Sequence, residues 1–192
     1  MTDVVADELL KNEPKEQKVL IAYYSRRGEN YVAGSIKNLK VGNTEVIAGK
    51  IQKLIGGTLF RIDTVKAYPA NYRETTRVAQ DELRQKSRPE LSGKVENMEQ
   101  YDVIYLGYPN WWGTMPMAVF TFLESYNFKG KTIVPFCTHE GSGLGHSEKD
   151  LAAALPDVTL LPGLEIRGST VNDDSADSKV KAWIKEHNIK AK

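Results

Sequence analysis

Three segments of the sequence carry residue types that can bind a phosphate and a flat ring. The first holds Ser25 and Arg27 and, after an intervening stretch, Gly42, Asn43 and Thr44 at the start of a helical pattern. Free amide groups and the helix dipole at such a start favour an anion, and glycine lets the backbone come close. A phosphate site is one interpretation of this segment, and an ordinary helix cap by Asn43 or Thr44 is the other.

Two adjacent tryptophans, Trp111 and Trp112, form the second segment, a loop bounded by Pro109 and Pro116. Neighbouring side chains on a loop do not share one face, so at least one indole should lie near the surface. An indole at the mouth of a crevice is a good platform for a flat aromatic ligand. We favour this interpretation over a tryptophan that only covers a helix.

Glycines at alternate positions mark the third segment, in which Gly141, Gly143 and Gly145 follow Thr138. Their exposed backbone groups could hydrogen-bond the polar edge of a ring. In isolation, however, a flexible connector is the better interpretation of this segment.

Other motifs are weaker. The triplet Gly130-Lys131-Thr132 leads into a strand and lacks the earlier glycine of a nucleotide-binding P-loop. Cys137, close to His139, could be a nucleophile, but cysteine is more often buried as a small hydrophobe. Tyr68 and Tyr72 could cover a ligand, although we favour a structural role for both. We assign no catalytic residue.

Apolar runs of strand length alternate with helical patterns and must position these segments. Strands are predicted at residues 19–24, 58–65, 102–107, 132–137 and 160–166, and helices at residues 43–55, 72–83, 116–126, 147–155 and 178–188. This alternation predicts an α/β fold with a parallel sheet covered by helices on both faces. The ligand crevice of such a sheet lies beyond the carboxyl ends of its strands, where all three segments fall.

The composition excludes several classes of protein. A formal net charge of +1, with 26 basic and 25 acidic side chains, gives no general attraction to nucleic acid. One cysteine and three histidines argue against a disulfide framework and a metal centre. Residues 1–17 read as a polar extension without the apolar core of a signal peptide, and residues 18–192 as one domain. We therefore expect no membrane association and a cytoplasmic location.

The three segments together resemble those of the flavodoxin-like family. The resemblance lies in residues 24–28 with 42–44, in residues 107–116 and in residues 136–143, and it runs from about residue 18 to residue 183. It implies a three-layer α/β/α sandwich with a five-stranded parallel sheet of order 2-1-3-4-5. It also implies non-covalent binding of flavin mononucleotide (FMN).

Site residues follow from this resemblance by position. Ser25, Asn43 and Thr44 would hold the phosphate, with Arg27 as a helper. The ring would be flanked by Pro109, Asn110, Trp111, Trp112 and Gly113, and its other side and pyrimidine edge would be lined by Thr138, Gly141, Ser142 and Gly143. The departure from the family pattern is an insertion, residues 29–41, which separates the initial serine from its Gly-Asn-Thr and could add a flap over the site.

The expected function is electron transfer by bound FMN. The first hypothesis is a reductase that takes electrons from a reduced nicotinamide and passes them to a quinone or similar small acceptor. The second is a non-enzymatic carrier between redox proteins. The near-neutral charge balance argues against the carrier, because such proteins often use a strongly acidic face for steering. A homodimer partner could complete the site.

Overall fold

A computed structural model describes residues 17–189 of the chain. The strands are β1 (Val19–Tyr23), β2 (Gly28–Val32), β3 (Ser35–Leu39), β4 (Thr58–Arg61), β5 (Val103–Pro109), β6 (Thr132–His139), β7 (Thr159–Leu160) and β8 (Leu164–Arg167). The helices are α1 (Asn43–Ile55), α2 (Tyr72–Gln85), α3 (Met117–Glu124), α4 (Ser147–Ala154) and α5 (Asp174–His187). All but one residue of the predicted N-terminal extension lie outside the described residues.

The central sheet is parallel throughout and has the order β4-β1-β5-β6-β7, with β8 also paired to β6. Counted as the strands predicted from the sequence, this is the order 2-1-3-4-5, which is thereby confirmed. β1 and the first six residues of β5 are fully buried. Strands covered on both faces need such continuous apolar runs.

Two hydrophobic clusters, one on each face of the sheet, make the structure a three-layer sandwich. One cluster contains side chains of α1 and α5, including Ile51 and Trp183, and the other contains side chains of α3 and α4, including Phe122 and Leu151. Helices therefore pack against both faces of the sheet, and the loops at its carboxyl edge are anchored to a rigid core.

The second predicted strand is shorter in the structure, and the fifth is divided. The second predicted strand ends at Arg61, because the chain then leaves β1 and pairs with residues 90–92 through the bonds of Val65 to Glu90 and of Ser92 to Asp63. The fifth is divided into β7 and β8 at Pro162, which has no amide hydrogen for the sheet.

The carboxyl end of β6 is longer than predicted. The strand continues through Thr138 and His139, because β8 pairs with it there. The third segment therefore begins on a strand, which fixes the direction of the Thr138 side chain.

The inserted residues form a separate two-stranded antiparallel sheet, β2–β3. Gly28 pairs with Leu39 at its base, and a tight turn at Ala33 and Gly34 joins the strands with positive φ at both residues. Such a turn matches the twist of a hairpin. Within residues 17–189, no helix is long and apolar enough to cross a membrane.

Gly107, in the centre of β5, tests the packing of this sheet. A Cβ atom there would lie 2.2 Å from the buried Phe136 ring, whereas one on Gly49 of α1 would meet nothing within 4 Å. We expect Gly107→Ala to lower the free energy of unfolding by about 1–3 kcal/mol through overpacking. Gly49→Ala should raise it by about 0.5–1 kcal/mol through helix propensity. Urea unfolding of both variants checks this, and equal effects would contradict the packing described.

Candidate functional site

A cleft of about 450 Å³ opens at the carboxyl ends of β1, β5 and β6. Eight of the residues predicted from the sequence line it: Ser25, Asn43, Thr44, Pro109, Asn110, Trp111, Trp112 and Thr138. Five do not line it: Arg27, Gly113, Gly141, Ser142 and Gly143. The structure therefore brings parts of all three predicted segments together in one place.

The N-terminus of α1 forms the polar end of the cleft. Its cap residue is Gly42, and the amide of Glu45 donates to Ser25 Oγ at 3.0 Å. Since the first amides of a helix have no acceptor within it, those of Asn43 and Thr44 remain available to a ligand. Thr44 Oγ1 is also hydrogen-bonded to Thr138 Oγ1 at 2.8 Å, which ties the helix to β6. This end of the cleft is suited to an anion.

Of the two arginines after β1, Arg26 lines the cleft and the predicted phosphate helper Arg27 does not. Arg27 points away from the cleft and pairs with Glu45 at 2.8 Å, with its side chain 57% exposed. Arg26 lines the cleft instead, and its guanidinium donates to the carbonyl oxygens of Pro69 and Ala70. The partners of the two side chains decide which of them faces the cleft: Glu45 holds Arg27, and the loop before α2 holds Arg26.

The paired tryptophans divide as expected. Trp111 is partly buried, and its ring meets those of Tyr24 and Tyr68 edge-on at 5.3 and 5.2 Å. Trp112 is 49% exposed at the mouth of the cleft, where its Nε1 donates to the carbonyl of Thr76 at 2.9 Å. The first indole thus packs against the core while it also lines the cleft, and the second, more exposed indole is available to a flat ligand.

Trp112 also has a strained backbone. Its φ is +56° and that of Gly113 is +89°, and the flanking Trp111 and Thr114 are bonded to each other across a tight turn. A bulky residue in the left-handed region costs about 1–3 kcal/mol and persists only where its surroundings enforce it. The turn therefore holds the indole at the cleft at an energetic cost, as functional sites often do.

Asn110 joins the second and third segments. Its backbone amide donates to the carbonyl of Thr138 at 2.9 Å. Its side-chain Nδ2 donates to the carbonyl of Gly143 at 2.8 Å, and its Oδ1 accepts from the backbone amide of Gly113 at 2.9 Å. Gly113 and Gly143 thus lie behind Asn110, where they position the cleft wall without forming its surface. The amide of Gly141 donates to His139 Nδ1 at 2.9 Å, which fixes the start of the glycine segment.

Nine cleft residues were not predicted as site residues. They lie just before or on the hairpin, in the first half of α2 or at the end of β6, and they are Arg26, Asn30, Tyr31, Tyr72, Thr75, Thr76, Ala79, His139 and Glu140. The sequence did place Tyr72, Thr76 and Ala79 on one helix face, but periodicity alone cannot distinguish a face turned to a core from one turned to a cleft.

The two carboxylate oxygens of Glu140, a cleft residue, have different surroundings. Its Oε2 accepts from the amide of Ala33 at 3.3 Å, while its Oε1 is buried and has no hydrogen-bond partner. A Cβ atom on Gly168 would lie 2.8 Å from this Oε1 and 2.2 Å from Asn43 Nδ2, so both atoms converge there. A buried carboxylate oxygen without a hydrogen-bond donor is energetically costly.

Cys137 does not have the surroundings of a nucleophile. Its side chain is buried, and its Sγ lies near the carbonyl oxygens of Thr138 and Gly143. Burial raises the pKa of the thiol far above the neutral range. The cysteine is part of the core, and residues 17–189 contain no group of acidic, histidine or cysteine side chains that could hold a metal ion.

Glu45, in the first turn of α1, provides a test of the electrostatics beside the cleft. A hydrogen bond from Arg27, together with the charge of Arg61, lowers the pKa of its carboxyl group. A lowered pKa stabilises the folded state above the pKa of an unfolded glutamate, about 4.3, and this stabilisation is lost as the pH falls through the folded value.

We therefore expect Glu45→Gln to reduce the free energy of unfolding at pH 7 and to have a smaller effect near pH 3. Glu74→Gln is the matched control, because Glu74 has the same first-turn position on α2. Urea unfolding at both pH values checks this. If Glu45→Gln lowered the free energy of unfolding equally at both pH values, the stabilising ion pairs assigned to the Glu45 carboxylate would be contradicted.

Comparisons with known proteins agree with this architecture. A sequence model of the flavodoxin family matches residues 18–187. A protein from Bacteroides eggerthii, assigned as a flavoprotein, is 30% identical, with a TM-score of 0.71 over 91% of this chain and 100% of its own. A second, from Bacteroides uniformis, is 30% identical, with a TM-score of 0.69 over 89% of this chain and 99% of its own.

A flavoprotein from Lactobacillus acidophilus, solved in complex with FMN, shares the fold at 22% identity. Its TM-score is 0.61, over 87% of this chain and 98% of its own. A search of curated proteins found no significant match. The family match covers nearly the whole described structure, and its strands and helices have the arrangement that the resemblance implied. The chain belongs to the flavodoxin family.

Proposed function

We propose that the cleft binds FMN with its phosphate at the N-terminus of α1. The observation that carries this proposal is the position of the half-exposed Trp112 indole in the same cleft as the free amides of Asn43 and Thr44. A ligand that contacts both the indole and these amides must have a flat ring at one end and an anionic group at the other. Membership of the flavodoxin family and the FMN complex of the Lactobacillus acidophilus flavoprotein support this cofactor.

The residues present fit the three parts of FMN. The phosphate would meet the α1 amides and the hydroxyl groups of Ser25 and Thr44, in a place where the helix dipole favours negative charge. The ribityl hydroxyls would lie between the two ends, beside the polar side chains of Asn43 and Thr138 that line the same cleft. The ring would lie by Trp112 and Asn110. The cleft volume of about 450 Å³ is within the range of cofactor sites.

Each group of residues has a separate task in this proposal. Bound FMN supplies the electron chemistry, and the protein binds it, orients it and restricts access to it. Asn110 keeps the two ring-binding segments at a fixed separation through its three hydrogen bonds. Gly141, Ser142 and Gly143 would reach the pyrimidine edge from the rim of the cleft, since His139 and Asn110 anchor both ends of this stretch.

The reaction proposed is reduction of a quinone or similar small acceptor by NADH or NADPH. The apolar wall of Tyr31, Tyr72, Ala79 and Trp112 supports this proposal, because a flat organic substrate could lie against it. A carrier would instead exchange electrons with redox proteins. The near-neutral net charge of +1 does not favour electrostatic docking to such partners.

A comparison of FMN with riboflavin, which has no phosphate, tests the position of the phosphate. We expect the cofactor-free protein to bind FMN one to one, and at least about tenfold more tightly than riboflavin. A Cβ atom on Gly42 would lie 2.2 Å from Ser25 Oγ and 2.6 Å from the carbonyl of Arg26, and so would push the helix from the loop. Gly42→Ala should therefore lose most of the preference for FMN.

Gly49→Ala, on the same helix, is the matched control for this titration and should bind like the parent protein. Quenching of flavin fluorescence measures all the affinities. Equal affinity for FMN and riboflavin in the parent protein would refute the phosphate site even if a flavin binds.

The reductase activity has its own test. We expect the FMN-loaded protein to oxidise NADH or NADPH steadily when a quinone is supplied, and to stop when the quinone is exhausted. Absorbance of the reduced nicotinamide follows the reaction, with the cofactor-free protein as control. A loaded protein that oxidises neither nucleotide, yet exchanges electrons with a redox protein, would support the carrier instead.

A further inference from the structure

The hairpin β2–β3 leaves and rejoins the proposed phosphate site at almost the same point. Gly28 pairs with Leu39 at its base, and the Gly42 backbone lies directly against Ser25 Oγ and the carbonyl of Arg26. The inserted residues thus do not separate the two halves of the site. The proposed phosphate loop is therefore continuous in space, and the hairpin projects outward from it.

The base and the turn of this hairpin are attached to opposite sides of the cleft. Near its base, Glu29 Oε2 accepts from the amide of Tyr72 at 2.8 Å and from Asn71 Nδ2 at 3.3 Å, at the start of α2. At its turn, Ala33 donates to Glu140 Oε2 at the end of β6. The hairpin therefore crosses the cleft from α2 to β6.

The base of the hairpin is held by a partly buried charge. The Arg26 guanidinium donates to the carbonyls of Glu29, Pro69 and Ala70, which joins the hairpin to the loop before α2. Burial lowers the pKa of Arg26, but an arginine remains charged in the neutral range. Since three of its five N–H donors bond to carbonyls of the hairpin and of this loop, its structural role is to fix the hairpin.

The hairpin also supplies an aromatic side to the opening that remains. The Tyr31 ring stacks on that of Tyr72, with centroids 6.3 Å apart and planes 26° apart, and it is 44% exposed. The Trp112 indole lies beside the second turn of α2, where its Nε1 donates to the carbonyl of Thr76. The opening thus lies between two half-exposed aromatic rings, and its floor includes Thr76 and Ala79.

We propose that the hairpin selects the electron acceptor of the cofactor by size. Small planar oxidants such as quinones enter between Tyr31 and Trp112, while the hairpin keeps protein oxidants away from the ring. This inference rests on the proposed function. A quinone gains two electrons and two protons to become a hydroquinone; the reduced cofactor gives up both electrons and one proton, and solvent supplies the second proton.

Excision of residues 29–42 tests the inference directly. Joining Gly28 to Asn43 gives the uninterrupted sequence Ser-Arg-Arg-Gly-Asn-Thr, and the paired base of the hairpin makes this closure short. Both proteins are loaded with FMN, photoreduced without oxygen and mixed rapidly with benzoquinone or with ferric cytochrome c. This assay needs no nicotinamide, so it does not depend on the identity of the natural donor.

We expect the parent protein to reduce benzoquinone readily and cytochrome c slowly. Excision should raise the rate with cytochrome c by at least about tenfold and change the rate with benzoquinone far less. It should also raise the rate of FMN release, followed by flavin fluorescence, because the cleft loses its cover. An unchanged ratio of the two oxidation rates would overturn the inference.

A milder variant keeps the test valid if the excised protein does not fold. Tyr31→Ala removes one side of the opening, so the rate with a bulky side-chain-bearing naphthoquinone should rise relative to that with benzoquinone. Tyr31→Phe keeps the stacked ring and should keep the parent ratio. The same ratio in Tyr31→Ala as in the parent protein would contradict selection by size. If the parent protein binds no flavin, the proposed function itself fails, which is a separate result.

Discussion

The contact between the end of β1 and the start of α1 is the constraint on which the site depends. Ser25 Oγ accepts from the Glu45 amide, and Gly42 lies so close to Ser25 and Arg26 that no side chain fits between them. This contact presents the helix N-terminus to the cleft even though the two segments are far apart in sequence. Because this contact holds the end of β1 against the start of α1, the hairpin between them can be accommodated without displacing either segment.

A second set of contacts makes the ring end of the cleft equally rigid. Asn110 bonds to both neighbouring segments, and the amide of His146 donates to the carbonyl of Gly113 at 2.8 Å. Together they hold Trp112 in its strained conformation, which a free loop would leave. Rigid positioning of both ends suits a cofactor that must be held in one orientation.

The sequence was informative where local rules dominate. Buried parallel strands have continuous apolar runs, and the segments that follow strands one, three and four had to meet at one edge of the sheet. The strand order, the cleft and eight of its residues follow from these rules and from the family resemblance. The division of Trp111 and Trp112 into a buried and an exposed indole follows from their being neighbours.

What the sequence did not indicate depends on contacts between distant segments. The hairpin crosses to Glu140 and to the start of α2, so residues 29–41 alone could not reveal that Tyr31 faces the cleft. The choice between Arg26 and Arg27 is decided by partners in other segments, the carbonyls of Pro69 and Ala70 and the carboxylate of Glu45. The extension of β6 through His139 needed β8 beside it.

The absorption spectrum of the protein, taken after incubation with FMN and removal of free ligand by gel filtration, shows whether the cleft binds the cofactor. We expect a visible flavin band that elutes with the protein at one FMN per chain and is shifted from the spectrum of free FMN. A colourless protein fraction, with all of the flavin in the low-molecular-weight fractions, would contradict it.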